Sequence, residues 1–308
     1  MWLGCFPRSM PVRVRGFPQT ARVGVFMASQ LQTQRFELKY IVPETVIERV
    51  RDFVRPHLVL DSYGRSQPDL SYSVHSLYLD SRDYALHQST INGDRNRYKL
   101  RIRFYENRPG SPIYLEIKRR EDNAIYKERC AVAREGIDDV AAGRLPLREH
   151  LVSPSPDDER ALVNFTKLVN SLHAGPVAHV SYRREAWSTP DSNRCRVTFD
   201  RNVISSPEKT YRFDPGHCGP VSVFGPAVVL ELKFTGRFPS WMADMVRIFG
   251  LRQCSAAKYV DGLVRMEELR ILEPILPDAF LAAVERRVAR QLIRAPGLLP
   301  HRPAPAAS

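Results

Sequence analysis

Residues 97–105 read RYKLRIRFY, which places Arg97, Lys99, Arg101 and Arg103 on one parity and Tyr98, Leu100, Ile102 and Phe104 on the other. Successive side chains of a strand point to opposite faces, so this pattern lines up four cations on one side. Like charges two residues apart repel. A fold that keeps such a row must put something opposite it.

The same alternation returns along the chain, at 35–42, 71–80, 112–119, 124–132, 177–187, 194–201 and 227–235. With 97–105 that makes eight expected strands. Helices are expected over 43–56, 156–173, 239–249, 258–272 and 277–293, with a short one at 136–143. Pro43-Glu44 and the Pro-then-acid run after 155 are helix-start signals. Strands with helices inserted between them, rather than strict alternation of the two, indicate an α+β protein.

The polar parities are alike. They carry Arg35, Glu37 and Lys39, then Tyr114, Glu116 and Lys118, with Lys127 followed by Arg129 on the next strand. Further on they carry Arg196, Thr198 and Asp200, and finally Glu231, Lys233 and Thr235. A solvated outer face is the ordinary cause of alternation, and each strand alone fits that reading. As a set they are long, charged and mostly cationic, where an ordinary outer face mixes Ser, Thr, Asn and Gln. The expected solution is an eight-stranded antiparallel β-barrel with its charged face inward, forming a tunnel, and helices packed outside on the apolar face. Repulsion among the lining cations is relieved by a polyanion, and phosphate chains suit Arg forks and Lys point charges. The interspersed carboxylates then suit Mg²⁺ or Mn²⁺, which take oxygen ligands and bridge to phosphates.

Composition narrows the classes. The 308 residues are 43% hydrophobic and 26% charged, a globular balance. No apolar run reaches the ~18 residues of a spanning helix, so no membrane span is expected. Cys5, Cys130, Cys195, Cys218 and Cys254 show no C-x-x-C spacing, which fits reduced thiols in a cytoplasmic protein. The net charge of +12 divides into +4 over residues 1–26, +3 over 274–308 and +5 over the body. With no recognised nucleic-acid module and so small an excess in the body, no nucleic-acid partner is expected. The first 26 residues read as a leader or a mis-extended reading frame ahead of Met27, and 27–273 as the body. Residues 274–294 read as a helix docking on the body, and 295–308 as a disordered Pro/Ala-rich tail.

The string RFELKY, SLYLDS, RYKLRIRFY, YLEIKRR, YKER, YRREAW, RVTFD, LELKF and AAKYVDG resembles the VTC-type polyphosphate polymerase domain, of the triphosphate tunnel metalloenzyme superfamily. The likeness runs in order over about residues 33–268, to a stand-alone bacterial-type version. It implies an ATP-dependent phosphotransferase that adds the γ-phosphate of ATP to inorganic polyphosphate with Mn²⁺ or Mg²⁺. The resemblance implies that Lys39, Arg101, Arg103, Lys118, Lys127, Arg184 and Lys258 bind phosphate. Of these, Arg101, Arg103, Lys118, Arg184 and Lys258 would neutralise the reacting group. Glu231 would hold the metal, and Tyr182 would line the tunnel. Lys233, Arg196, Glu37, Glu116 and Asp200 join them with less weight. Ala257 departs from the family's usual Ser before the lysine. A tunnel triphosphatase or polyphosphatase, and a silent polyphosphate-binding module, are the alternatives. His179 reads as a structural histidine on the tunnel parity.

Overall fold

All eight alternating segments form strands in the computed structural model, which describes residues 35–272 except 109, 123, 191 and 193. The first half runs β1 (Arg35–Val42), α1 (Glu44–Val54), β2 (Val59–Leu60), α2 (Ser62–Arg65), β3 (Tyr72–Asp80), α3 (Ala85–Asn92), β4 (Asn96–Phe104), β5 (Ile113–Glu121) and β6 (Ala124–Val132). There follow α4 (Ile137–Ala141), α5 (Pro156–Leu172), β7 (Gly175–Ser188), β8 (Cys195–Pro207), β9 (Val221–Ser222), β10 (Val228–Thr235), α6 (Ser240–Ile248) and α7 (Lys258–Glu268). The boundaries expected at 1–26 and the helix and tail after 273 lie outside the described residues.

Local chemistry accounts for the helix ends. The Ser155 hydroxyl accepts from the Asp158 N–H, Pro156 opens α5, and three acids occupy its first turn, each favourable at a helix N-terminus. Short α3 carried no such signal. It is held instead by Asp80, whose carboxylate accepts the N–H groups of Leu86 and His87 and the hydroxyl of Tyr259.

The strands lie in the order β1-β10-β8-β7-β3-β4-β5-β6, every neighbour antiparallel, with β2 added to β7 and β9 to β8. The expected closed barrel is not formed: β1 and β6 end the path and share no backbone ladder. Across the inner face, Lys118 of β5, the strand next to the β6 edge, donates to Glu37 of β1 at 3.0 Å.

The apolar parities pack as expected on the outside. Leu100, Ile102, Leu115 and Ile117 bury against Phe165 and Leu162 of α5. Tyr40, Leu230 and Leu232 bury against Ile47 and Val50 of α1 and Met242 and Met245 of α6. Each such side chain contributes about 1.5–3 kcal/mol.

The expectation that helices lie only outside fails for α7. Its Tyr259, Leu263 and Met266 share a core with Val74, Val180 and Val229, which stand in phase with the inward residues of β3, β7 and β10. Part of the inner face is therefore apolar and covered. Gly262 permits the approach, because a Cβ there would lie 2.6 Å from the Ser205 hydroxyl oxygen. The placement brings Lys258, the first residue of α7, against the charged face.

Candidate functional site

Beyond α7, the inner face walls an open cavity of about 2200 Å³. Antiparallel register sets opposite charges side by side on it: Arg101 faces Glu116, Arg184 faces Asp200, Lys39 faces Glu231, and Glu37 faces Lys233. It also sets like charges together, Lys118 lying between Lys99 and Lys127.

Two clusters result. On β4, β5 and β6, the fully buried Glu116 receives Arg101 at 2.7 Å, Lys127 at 2.8 Å, Arg129 at 3.4 Å and Arg103 at 3.9 Å. Arg101 also donates to the Tyr78 hydroxyl. Burial disfavours the Glu116 carboxylate, but Arg101, Arg103 and Lys127 more than reverse this and hold it ionised far below the usual range. Burial pulls Lys127 down to about 7, partly offset by Glu116. Lys99, buried among Lys39, Lys118 and Arg97, also falls to about 7.

On β1, β7, β8 and β10, two carboxylates organise the cations. Arg184 grips Asp200 through two hydrogen bonds of 2.7 and 2.6 Å, a fork–fork geometry. Lys258 lies 2.7 Å from Asp200 and 2.9 Å from Glu231, and Lys233 lies 2.7 Å from Glu231. Burial would lower Lys258, yet Asp200 and Glu231 leave it well above the ordinary lysine range. Lys233, buried beside Arg184 and Lys118, drops to about 8 despite Glu231 and Glu37. The Tyr182 ring underlies this group, 4.9 Å from Lys258 and 5.1 Å from Arg184. Glu37 links the two clusters, 3.3 Å from Lys39 and 3.0 Å from Lys118.

Lys39, Arg101, Arg103, Lys118, Lys127 and Arg184 therefore share one cavity wall, together with Lys233, Lys258, Tyr182, Glu37 and Glu231. Glu116 and Asp200 lie beneath that wall as fully buried anchors. Arg196 also lines the cavity, tied at 3.3 Å to Asp61 ahead of α2. His179 is misplaced by the sequence reading: it stands out of phase with Tyr182 and Arg184 and packs on the outer face against His75 and Phe104. Arg129 and Tyr78 belong to the site but were not singled out; Arg129 shares the parity of Lys127, which was the available signal. Ala257 gives no hydroxyl, and its N–H donates to Asp261 in the first turn of α7.

Glu231 meets Lys258 through Oε1 at 2.9 Å and Lys233 through Oε2 at 2.7 Å, and Glu37 stands beside it across Lys39. One or two carboxylates completed by phosphate oxygens is the pattern Mg²⁺ and Mn²⁺ take. A single carboxylate engaged by two lysines would take an ion only together with phosphate oxygens, not as part of a cage of protein ligands. Among the described residues, the group of three metal-competent side chains close enough to converge is His75, His179 and His217, outside the cavity.

A cavity whose cations outnumber its carboxylates, fixed on rigid strands, carries a positive field that attracts anions of high charge density. The chain belongs to the VTC domain family, whose model matches residues 34–267, and this ties it to polyphosphate-related function. No curated protein matches the sequence. Among solved structures, a Bacillus halodurans protein described as a candidate adenylate cyclase is similar at 11% identity and a TM-score of 0.41, over 73% of this chain and 94% of that one. The Schizosaccharomyces pombe Mediator head module is similar at 12% identity and a TM-score of 0.35, over 77% of this chain and 94% of that one. No helix among the described residues is long and apolar enough to cross a membrane.

Proposed function

We propose that this protein is a metal-dependent polyphosphate polymerase, transferring the γ-phosphate of ATP to the end of a growing inorganic polyphosphate chain. The observation that carries the reading is the Glu116 cluster, where four cations converge on one buried carboxylate at the wall of an open cavity. Such a site is electrostatically incomplete until phosphate enters it.

Phosphoryl transfer asks chiefly for alignment and for neutralising charge on the equatorial oxygens. Arg101 and Arg103 are held from below by Glu116, and Arg184 and Lys258 by Asp200, so these four need little reorganisation to meet a phosphoryl group. Lys118 and Lys127 extend the cationic surface toward the exposed part of the wall, where a chain would run. Lys39, Lys233 and Arg196 supplement the lining. The acceptor is a phosphate oxygen already anionic near neutral pH, so no general base is required. A divalent ion held by Glu231, when bound with substrate, would supply further charge neutralisation between phosphates.

The cytoplasm, with its reducing conditions and ATP, is the compartment proposed. The test is incubation of the full chain with ATP and Mn²⁺, followed by gel analysis of the products. Accumulating long-chain polyphosphate supports the polymerase. Free phosphate alone identifies a triphosphatase, and tight polyphosphate binding without nucleotide consumption identifies a silent binding module.

A further inference from the structure

One edge of the cavity is aromatic. The single turn α2, capped by the Asp61 carboxylate on the Gly64 N–H, presents Tyr63 with 68% of its surface exposed. The ring is not isolated. It lies 5.5 Å from Tyr72 and 6.4 Å from Tyr105, nearly parallel to the latter at 7°. Tyr105 meets the edge of Tyr114 at 5.7 Å, and the Arg129 guanidinium sits 3.8 Å over Tyr114. Tyr72 donates to Asp61, which also pairs with Arg196, so this patch is braced from behind.

Tyr72 and Tyr105 line the cavity alongside Arg103 and Arg129, so the aromatic patch is continuous with the phosphate-binding wall. Tyr105 follows β4 directly, and Tyr105, Arg103 and Arg101 share its inward parity. Inward side chains on a strand are about 6.8 Å apart, so the strand acts as a ruler. A planar group stacked at Tyr105 has Arg103 one step inward and Arg101 two.

We infer that Tyr63, Tyr72 and Tyr105 form a stacking platform for the base of a nucleoside triphosphate, whose phosphates run inward over Arg103 toward Arg101. The inference rests on the proposed function and specifies where its donor nucleotide enters. Stacking uses the π-face common to all bases. Asp61, the carboxylate at this edge, is already engaged by Gly64, Tyr72 and Arg196. The platform therefore distinguishes a nucleotide from bare polyphosphate but discriminates little between adenine and guanine. A polymerase gains from that distinction, because donor and product share the same phosphates and differ in the base.

The experiment is equilibrium binding of ATP, GTP and inorganic tripolyphosphate to the full chain and to Tyr63→Ala, Tyr63→Phe and Arg101→Ala. Loss of one stacking partner should weaken ATP and GTP alike by roughly 5- to 100-fold in Tyr63→Ala. Tripolyphosphate binding should be unchanged there, and Tyr63→Phe should bind both nucleotides as the parent does. Unchanged ATP binding in Tyr63→Ala, or equal weakening of ATP and tripolyphosphate, overturns the platform. The exposed side chain makes misfolding a small hazard, and Tyr63→Ser repeats the comparison if Tyr63→Ala fails to fold. Arg101→Ala separates the two ideas: if it leaves tripolyphosphate binding intact, the cavity reading fails whatever Tyr63 does.

Discussion

The two clusters of the cavity wall are built from the same kinds of side chain and differ in their balance of charge. Around Glu116, four cations share one carboxylate, and two of them, Lys127 and Arg129, are 44% and 34% exposed. Around Asp200 and Glu231, two carboxylates serve Arg184, Lys258, Lys233 and Lys39, and Arg184 and Lys258 are nearly sealed. The first cluster lacks counter-charge and faces the open cavity. The second is closer to balanced and anchors strands and α7 together. The arginines themselves are buried alike, so the two clusters differ in how much counter-charge each arginine has.

The largest expected effect is Arg184→Ala. It strips the fork from a fully buried Asp200 and leaves Lys258 as its ionic partner, which should cost about 3–5 kcal/mol in urea unfolding and abolish transfer. Arg101→Ala should show the opposite profile. Transfer should fall by roughly 10²–10³-fold, while the unfolding midpoint holds or rises, because Glu116 keeps three cations that repel one another. Equal destabilisation by the two substitutions would erase the distinction between the clusters.

Glu231→Gln should raise the Mn²⁺ concentration for half-maximal transfer by about 10- to 100-fold, the scale of losses at perturbed metal sites. An unchanged metal titration would remove Glu231 as a ligand and leave it as a brace for Lys258 and Lys233.

The smallest effect concerns pH. Burial lowers Lys99 and Lys127 to about 7 and Lys233 to about 8. Bound polyanion raises all three, so the complex holds more protons than the free protein above neutrality. Binding should then take up protons and weaken severalfold between about pH 7 and pH 9. Calorimetry of tripolyphosphate in buffers of different ionisation enthalpy reads this directly, and proton release would contradict it.

Much of this architecture was legible in the chain. Period-two patterning located the eight principal strands, since one face of each is buried and a slip by one residue would expose it. The same parity put the charged side chains of β1, β4, β5, β6, β8 and β10 on the cavity side, whereas Tyr105, in phase with the arginines of RYKLRIRFY, was not singled out. Elements fixed by distant partners were not legible: α3 depends on Asp80 and Tyr259, and two-residue β2 and β9 are too short to show a period. The inward position of α7 was equally hidden, because an amphipathic helix looks the same whichever face of a sheet it covers.

By itself the sequence determined which side chains share a face, because alternation is a local property of extended backbone. It therefore determined that cations line one side of a long sheet. Only the tertiary structure decided how far that sheet closes, which part of its inner face α7 covers, and which carboxylate each cation meets. Those outcomes depend on register and curvature between strands far apart in the chain. At the short distances inside a buried wall, such contacts decide how much counter-charge each cation has.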